Sequence, residues 1–290
     1  MIDVFNAWRR CAVRRAQSLS IPEDYADMID VFNARGHQVY GAQLQRVGWI
    51  LGLLPSALTL DYFKGTLQPS KTLKFYYDAI DKGLESLKAQ HPDEPFHLVG
   101  HSIGGWVARG WLSERASAAD RARVLSLTTL GTPNREPPPD SPLAKVDQTR
   151  GLLKFINENF PAGSVPGVKY TSVVGTGTLA RFPSLDVQEM LAAISYLPLG
   201  GAPDGLGDGI VPWRAGIMDG SESIILPDAK HSGFVPTAGR AIPLDVEWYG
   251  DAATVERWGV VLDAAEAEAA ARAAAASPKP RGGIFGALLR

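Results

Sequence analysis

Residues 96–112 read Phe-His-Leu-Val-Gly-His-Ser-Ile-Gly-Gly-Trp-Val-Ala-Arg-Gly-Trp-Leu. The apolar run from Pro95 to Val99 has the length of a buried strand, and Ile103 to Leu112 suits a helix and contains no proline. Between them, Gly100, Ser102 and Gly104 make a Gly-x-Ser-x-Gly turn, with His101 inside it. A sharp strand-to-helix turn strains its central residue, and its flanks must lack side chains so that strand and helix can approach. The serine is then pushed out at the top of the sheet, and the backbone N–H of Ile103, at the start of the helix, points at any oxyanion formed there. In a chain with 30 glycines the pentapeptide alone is a weak signal. The strand before it and the helix after it make Ser102 a candidate nucleophile.

The chain has 290 residues, 45% of them hydrophobic, enough to bury a substantial core as one α/β domain. The 29 basic and 31 acidic residues nearly cancel, so no overall field draws in nucleic acid or a strongly anionic membrane. Cys11 is the only cysteine, which excludes an intramolecular disulfide and a zinc cluster built on thiolates. The longest apolar segment, Trp49 to Leu60, is broken by Gly52, Pro55 and Ser56 and is too short to span a bilayer. It is expected as a loop or short helix near the rim of the site.

Along the chain, Met1 to Ala7 (Met-Ile-Asp-Val-Phe-Asn-Ala) recurs unchanged as Met28 to Ala34. One recurrence is no solenoid signature and reads as a local duplication or an irregular gene start. Between the copies, Trp8 to Ser20 carries four arginines and two serines with no acidic residue, either a transit-peptide composition or a basic surface helix. Helices are expected at Glu23 to Arg35, with Tyr25, Met28, Ile29 and Phe32 on one face, and at Thr72 to Gln90, with Leu73, Tyr76, Ile80, Leu84 and Leu87 inward. Strands are expected at His37 to Tyr40, Arg123 to Leu130, Lys169 to Val174 and Ser223 to Leu226. Residues 134–167 hold a helix at Gln148 to Asn159 and are the expected cap. Further helices are expected at Phe182 to Tyr196 and, closing the domain, at Val246 to Leu262. The division is thus an atypical segment 1–22, a domain 23–262 and an Ala-rich tail 263–290. For the apolar end of that tail, Ile284 to Leu289, a solvated tail and contact with a membrane surface are both open.

A serine hydroxyl needs a base beside it, itself held in the right tautomer by a carboxylate. Of the five histidines, only His231 follows the elbow and lies beyond a strand. His97 reads as a core residue, His101 as pointing away from its neighbour serine, and His37 and His91 as solvent-exposed at element edges. The acid should lie between nucleophile and histidine in the chain. Asp208, in Gly207-Asp208-Gly209, fits best, because flanking glycines let a loop turn the carboxylate inward; Asp204 and Asp228 are the rivals.

These stretches resemble the α/β-hydrolase superfamily, in the lipase and esterase branch that includes PGAP1-like deacylases and plant and algal plastid-type hydrolases. Leu98 to Gly105, Thr129 to Pro133, Asp147 to Leu153 and Gly207 to Pro212 carry the resemblance, which covers roughly residues 23 to 260. It implies a mostly parallel sheet flanked by helices. It also implies hydrolysis of a carboxylic ester, small-molecule or lipid acyl, through an acyl-enzyme on Ser102, with His231 as base and Asp208 orienting it; the alternatives are a catalytically impaired or non-catalytic hydrolase-fold protein, and an acyltransferase that passes the acyl group to an alcohol. No cofactor, metal or nucleic acid is implied. Together with the Arg/Ser-rich segment it points to a plastid, with the cytoplasm as alternative. In one respect the chain departs from the family: no glycine precedes Gly36 and residues 1–22 lack a convincing apolar strand. The early strands and the loop that supplies a second oxyanion donor are therefore expected to be missing, leaving an apolar sheet edge.

Overall fold

The computed structural model describes residues 3–7, 25–41, 54–138, 147–202, 204–235 and 242–276. Its central sheet is built from β1 (Asp3–Ala7), β2 (Tyr40–Gly41), β3 (Phe96–His101), β4 (Val124–Leu130), β5 (Lys169–Gly175) and β6 (Glu222–Leu226), ordered β2-β1-β3-β4-β5-β6. From β3 to β6 the pairing is parallel. Every residue of β3 is buried, as are six of the seven in both β4 and β5. Such unbroken runs arise where helices cover both faces of a parallel sheet, so the chain has no polar alternation to display.

Those helices are α1 (Ala26–Ala34), α2 (Lys74–Gln90), α3 (Gly104–Gly110), α4 (Leu152–Asn159), α5 (Val187–Tyr196), α6 (Ala252–Trp258) and α7 (Val260–Ala276). On one face, Tyr76, Ile80, Leu84 and Leu87 of α2 pack with Leu98, Trp106, Leu127 and Ile156. On the other, Met28 and Phe32 of α1 pack with Val99, Leu130, Val173, Val255 and Trp258. Neighbours Leu98 and Val99 therefore enter different cores, as a period of two requires. The fold is mixed α/β with a parallel centre, the class expected from the sequence.

Two expectations about the amino end change. Residues 3–7 form a strand, β1, which pairs antiparallel with β3 from Asp3↔His101 to Ala7↔His97 and with β2 through Phe5↔Gly41 and Asn6↔Tyr40. The edge of β3 is therefore covered, and its backbone groups find partners there instead of standing open. The peptide Asp-Val-Phe-Asn-Ala is strand at 3–7 and helix at 30–34. Ala favours helix while Val and Phe favour strand, so the five together have no decisive preference and surroundings choose. The second copy follows Met28 and buries Phe32 edge-on against Trp258, 5.5 Å between ring centroids, whereas the first meets the open edge of β3. Residues 8–24, including the arginine-rich segment, lie outside the described residues, as does 277–290 with its apolar end.

The closing helix starts later than expected, at the Asp251 cap, so Trp248 and Tyr249 precede it. Helix α7 runs unbroken from Val260 to Ala276, through position 262/263, buries Val261, Leu262 and Ala265, and ties Glu268 to Lys169 of β5 at 2.5 Å. His37 and His91 are buried, not exposed. Phe32 meets His37 edge-on, and Gln38 Oε1 lies 2.8 Å from His91 Nε2, neighbours that only the tertiary fold supplies.

The crossing of β3 and α3 is a close backbone contact that places the site. A Cβ on Gly100 would lie 2.6 Å from the backbone Cα and N of Gly105. Neither backbone can move without unpacking α3 from the sheet. Gly100→Ala is expected to cost about 3 kcal/mol in urea unfolding. A loss below about 0.5 kcal/mol, within the range of ordinary surface substitutions, would show that strand and helix are not in this contact.

Candidate active site

Ser102 sits between the end of β3 and the start of α3 with φ +55°, a left-handed backbone that a non-glycine residue rarely adopts. Its own N–H donates to Leu130 O of β4 at 2.9 Å, and its C=O accepts from Gly105 N at 3.2 Å. Both backbone groups are thus committed to holding the turn. The next N–H, that of Ile103, has no acceptor among the described residues and opens the helix, where the N-terminal dipole favours negative charge. Sequence reading could anticipate this turn because strand, glycines and helix are contiguous.

His231 Nε2 lies 3.1 Å from Ser102 Oγ, and its Nδ1 lies 2.8 Å from Asp208 Oδ2. A carboxylate can only accept, so the ring proton is on Nδ1 and Nε2 presents a lone pair to the serine hydroxyl. Asp208 is buried and receives two further backbone bonds at Oδ1, from Ile210 N at 2.9 Å and Val211 N at 2.7 Å. Tyr249 Oη donates to Asp208 Oδ2 at 2.9 Å and accepts from Gly175 N at 2.6 Å. Burial, then the neighbouring Asp208 charge, hold the Tyr249 phenol well above its ordinary pKa, so it remains a donor. The backbone also closes the pair, His231 N donating to Asp208 O at 2.8 Å.

Room for this pair depends on Gly131, at the end of β4 with φ +52°. A Cβ there would meet Asp208 Oδ2 and Tyr249 Cε2, each at 2.6 Å, and His231 Nδ1 at 3.1 Å. This gives the Gly131-Thr132-Pro133 stretch a physical reason that sequence alone did not supply. The rivals Asp204 and Asp228 are exposed and hold no bond to His231.

His101 points away from the serine yet supports the site from behind. Its Nε2 lies 2.8 Å from His231 O and its Nδ1 2.8 Å from Tyr25 Oη, its ring 4.8 Å from the His231 ring. The carbonyl can only accept, which places the proton on Nε2 and makes Tyr25 the donor to Nδ1. This positioning role was not legible in the sequence, because both partners come from distant segments. Complete burial, followed by the proximity of His231, holds the His101 pKa well below 6.5. In the unfolded chain it titrates near 6.5, so its contribution is complete above that pH. As pH falls below 6.5 the unfolded state takes up a proton that the folded state refuses, and stability drops by about 1.4 kcal/mol per pH unit. Urea midpoints between pH 7.5 and 5 should therefore fall less steeply in His101→Gln than in the parent chain. Equal slopes would show that His101 is not the group responsible.

The three side chains open into a groove of about 620 Å³, with Leu191, Ile210, Leu244 and Val246 as its apolar wall. The helix beside it is α5, whose Gln188 Oε1 accepts from Lys230 Nζ at 3.1 Å, next to His231. Ser195 Oγ donates to Ile210 O at 2.9 Å, and Tyr196 Oη accepts from Gly209 N at 2.8 Å, so the far end of α5 is tied to the Asp208 loop. Its apolar stripe, Val187, Leu191 and Ile194, faces outward, while Ala192, Ala193 and Tyr196 are buried.

Of the segment expected as a cap, the described residues 134–138 and 147–167 do not line the groove. Its described helix α4 buries Leu152, Leu153 and Ile156 in the core behind α3, and none of its residues lines the groove. Residues 139–146 lie outside the described residues. Of Trp49 to Leu60, only 54–60 are described, and they do not line the groove either. Among the described residues, no group of three or more His, Cys, Asp or Glu side chains could hold a metal ion.

No protein-family model matches the chain, and no curated protein matches it. Among solved structures, the mature form of the Bacillus licheniformis lipase BlEst2 aligns with 67% of this chain and 72% of that one, at 14% identity and a TM-score of 0.38. At that degree of overlap the likeness says nothing about the site, whose case rests on its own geometry.

Proposed function

We propose that the protein is a serine hydrolase of the α/β-hydrolase superfamily that cleaves carboxylic esters through an acyl-enzyme. The observation that carries this reading is the unbroken chain from Ser102 Oγ through His231 to Asp208, at 3.1 and 2.8 Å, on a turn that holds the serine at positive φ. In this reading His231 Nε2 takes the hydroxyl proton as Oγ attacks the ester carbonyl. The oxyanion meets the N–H of Ile103, and His231 returns the proton to the departing alkoxide. Water then repeats the sequence on the acyl-enzyme and frees the acid. Asp208 holds the tautomer and balances the imidazolium. The expected place of a second oxyanion donor, just before Tyr25, falls on residues 8–24.

The apolar wall of the groove favours an acyl chain of several carbons over a small polar ester. The narrower branch, with lipid acyl esters as substrates, rests on the sequence stretches alone, as does plastid placement. The latter is tested by whether residues 1–22 carry a fused reporter into plastids.

The mechanism is tested with a fluorophosphonate probe on the folded full chain, read by peptide mass spectrometry. One adduct on Ser102 is expected, and kcat/KM for p-nitrophenyl esters should rise from acetate to octanoate. A folded protein that takes up no probe removes the enzyme reading; a flat chain-length profile removes only the acyl-chain part of it.

A further inference from the structure

Between Arg109 of α3 and Asn157 of α4, and sharing no lining residue with the groove, lies a separate cleft of about 290 Å³. Arg109, in the last turn of α3, lines it and is the only fully buried arginine among the described residues, with 1% of its surface exposed. Burying a cation is costly unless a counter-charge or a full set of acceptors comes with it. Arg109 has neither. Its Nη2 donates to the neutral amide oxygen of Asn157 at 2.6 Å, its Nε has no partner, and no carboxylate lies within ion-pair distance among the described residues. The two acidic residues at the cleft are engaged otherwise. Asp219 is held by Arg135, and Glu136 accepts from Asn157 Nδ2 at 3.3 Å. Burial pulls the Arg109 pKa down to about 10, as expected of a cation short of compensation.

The opposite lack occurs at another residue lining the same cleft. Asn134 is buried and donates through Nδ2 to Gly216 O at 2.8 Å and Thr129 Oγ1 at 3.2 Å, but its Oδ1 receives nothing. Both residues line the cleft, the unmet donor and the unmet acceptor being themselves buried atoms, with the exposed Arg135, paired to Asp219, at its mouth. A group with anionic oxygens and one O–H answers both. We infer that this cleft binds a phosphate-type oxyanion, either free or as a phosphomonoester, with Arg109 as the buried anchor and Arg135 as the gatepost. Its volume equals that of roughly ten waters, ample for such a group with part of its hydration.

The test uses inorganic phosphate and the full chain, with sodium chloride at matched ionic strength as control. Phosphate at about 1–20 mM, on the order of what a weak two-arginine site needs, is expected to raise the unfolding midpoint by several degrees and to broaden the ³¹P resonance. Arg109→Met should abolish both effects while its phosphate-free midpoint equals or exceeds that of the parent, because an uncompensated buried charge has been removed. Arg135→Ala, an exposed change, should weaken the response several-fold, and it decides the matter should Arg109→Met fail to fold. Glycerol 3-phosphate distinguishes the sources: an equal response assigns a phosphomonoester, and a response to inorganic phosphate alone assigns the free ion. No phosphate response in the parent chain, a full response in Arg109→Met, or an unchanged response in Arg135→Ala where Arg109→Met does not fold, overturns the inference.

Discussion

Ser102→Ala is expected to lower ester turnover by about 10⁵- to 10⁶-fold, the order of loss when the nucleophile of a cooperating Ser-His-Asp set is removed. His101 faces away toward Tyr25 and the His231 carbonyl, and it is Ser102 Oγ that lies at His231 Nε2. Stability should change by less than about 1 kcal/mol, because alanine meets the same left-handed strain and the substitution forfeits one half-buried hydrogen bond. Initial rates with an octanoate ester, set beside the urea midpoint, check both halves. Turnover within a hundredfold of the parent in a folded Ser102→Ala would transfer the chemistry to another group.

What could be read from the chain follows from how local each signal is. Strand β3 and its elbow are contiguous and almost wholly buried, so an apolar run, two glycines and a proline-free helix mark them within 17 residues. The inward stripe of α2 is legible for the same reason: Tyr76, Ile80, Leu84 and Leu87 repeat at helical spacing and are all buried. Strand β1 could not be read. Its five residues are repeated within α1, and a peptide that is helix in one place and strand in another carries no decisive signal of its own. The outward stripe of α5 has helical periodicity but gives no sign of which side faces solvent. Tyr249, whose hydroxyl braces Asp208, lay hidden inside a stretch that reads as continuous helix and is in fact the loop before Asp251.

Flanking glycines, with a place between serine and histidine in the chain, were enough to make Asp208 a candidate. Its bonding pattern makes a sharper demand. The carboxylate uses four acceptor positions on four donors: His231 Nδ1 and Tyr249 Oη at Oδ2, and the Ile210 and Val211 amides at Oδ1. An asparagine cannot serve that set in either orientation. With its NH₂ toward His231 it forces the imidazole proton onto Nε2, leaving no lone pair for Ser102; with its NH₂ toward Ile210 and Val211 it sets donors against donors. Asp208→Asn is therefore expected to reduce kcat about 10⁴-fold and, unlike a change that merely alters a tautomer, to cost about 2–4 kcal/mol in urea unfolding through charge-assisted bonds lost in a buried site. Asp204→Asn and Asp228→Asn, both exposed, should leave rate and midpoint within error of the parent. If Asp208→Asn keeps turnover within tenfold while either rival abolishes it, the acid has been misassigned; if all three are active, His231 works without a carboxylate and the buried Asp208 cluster is structural.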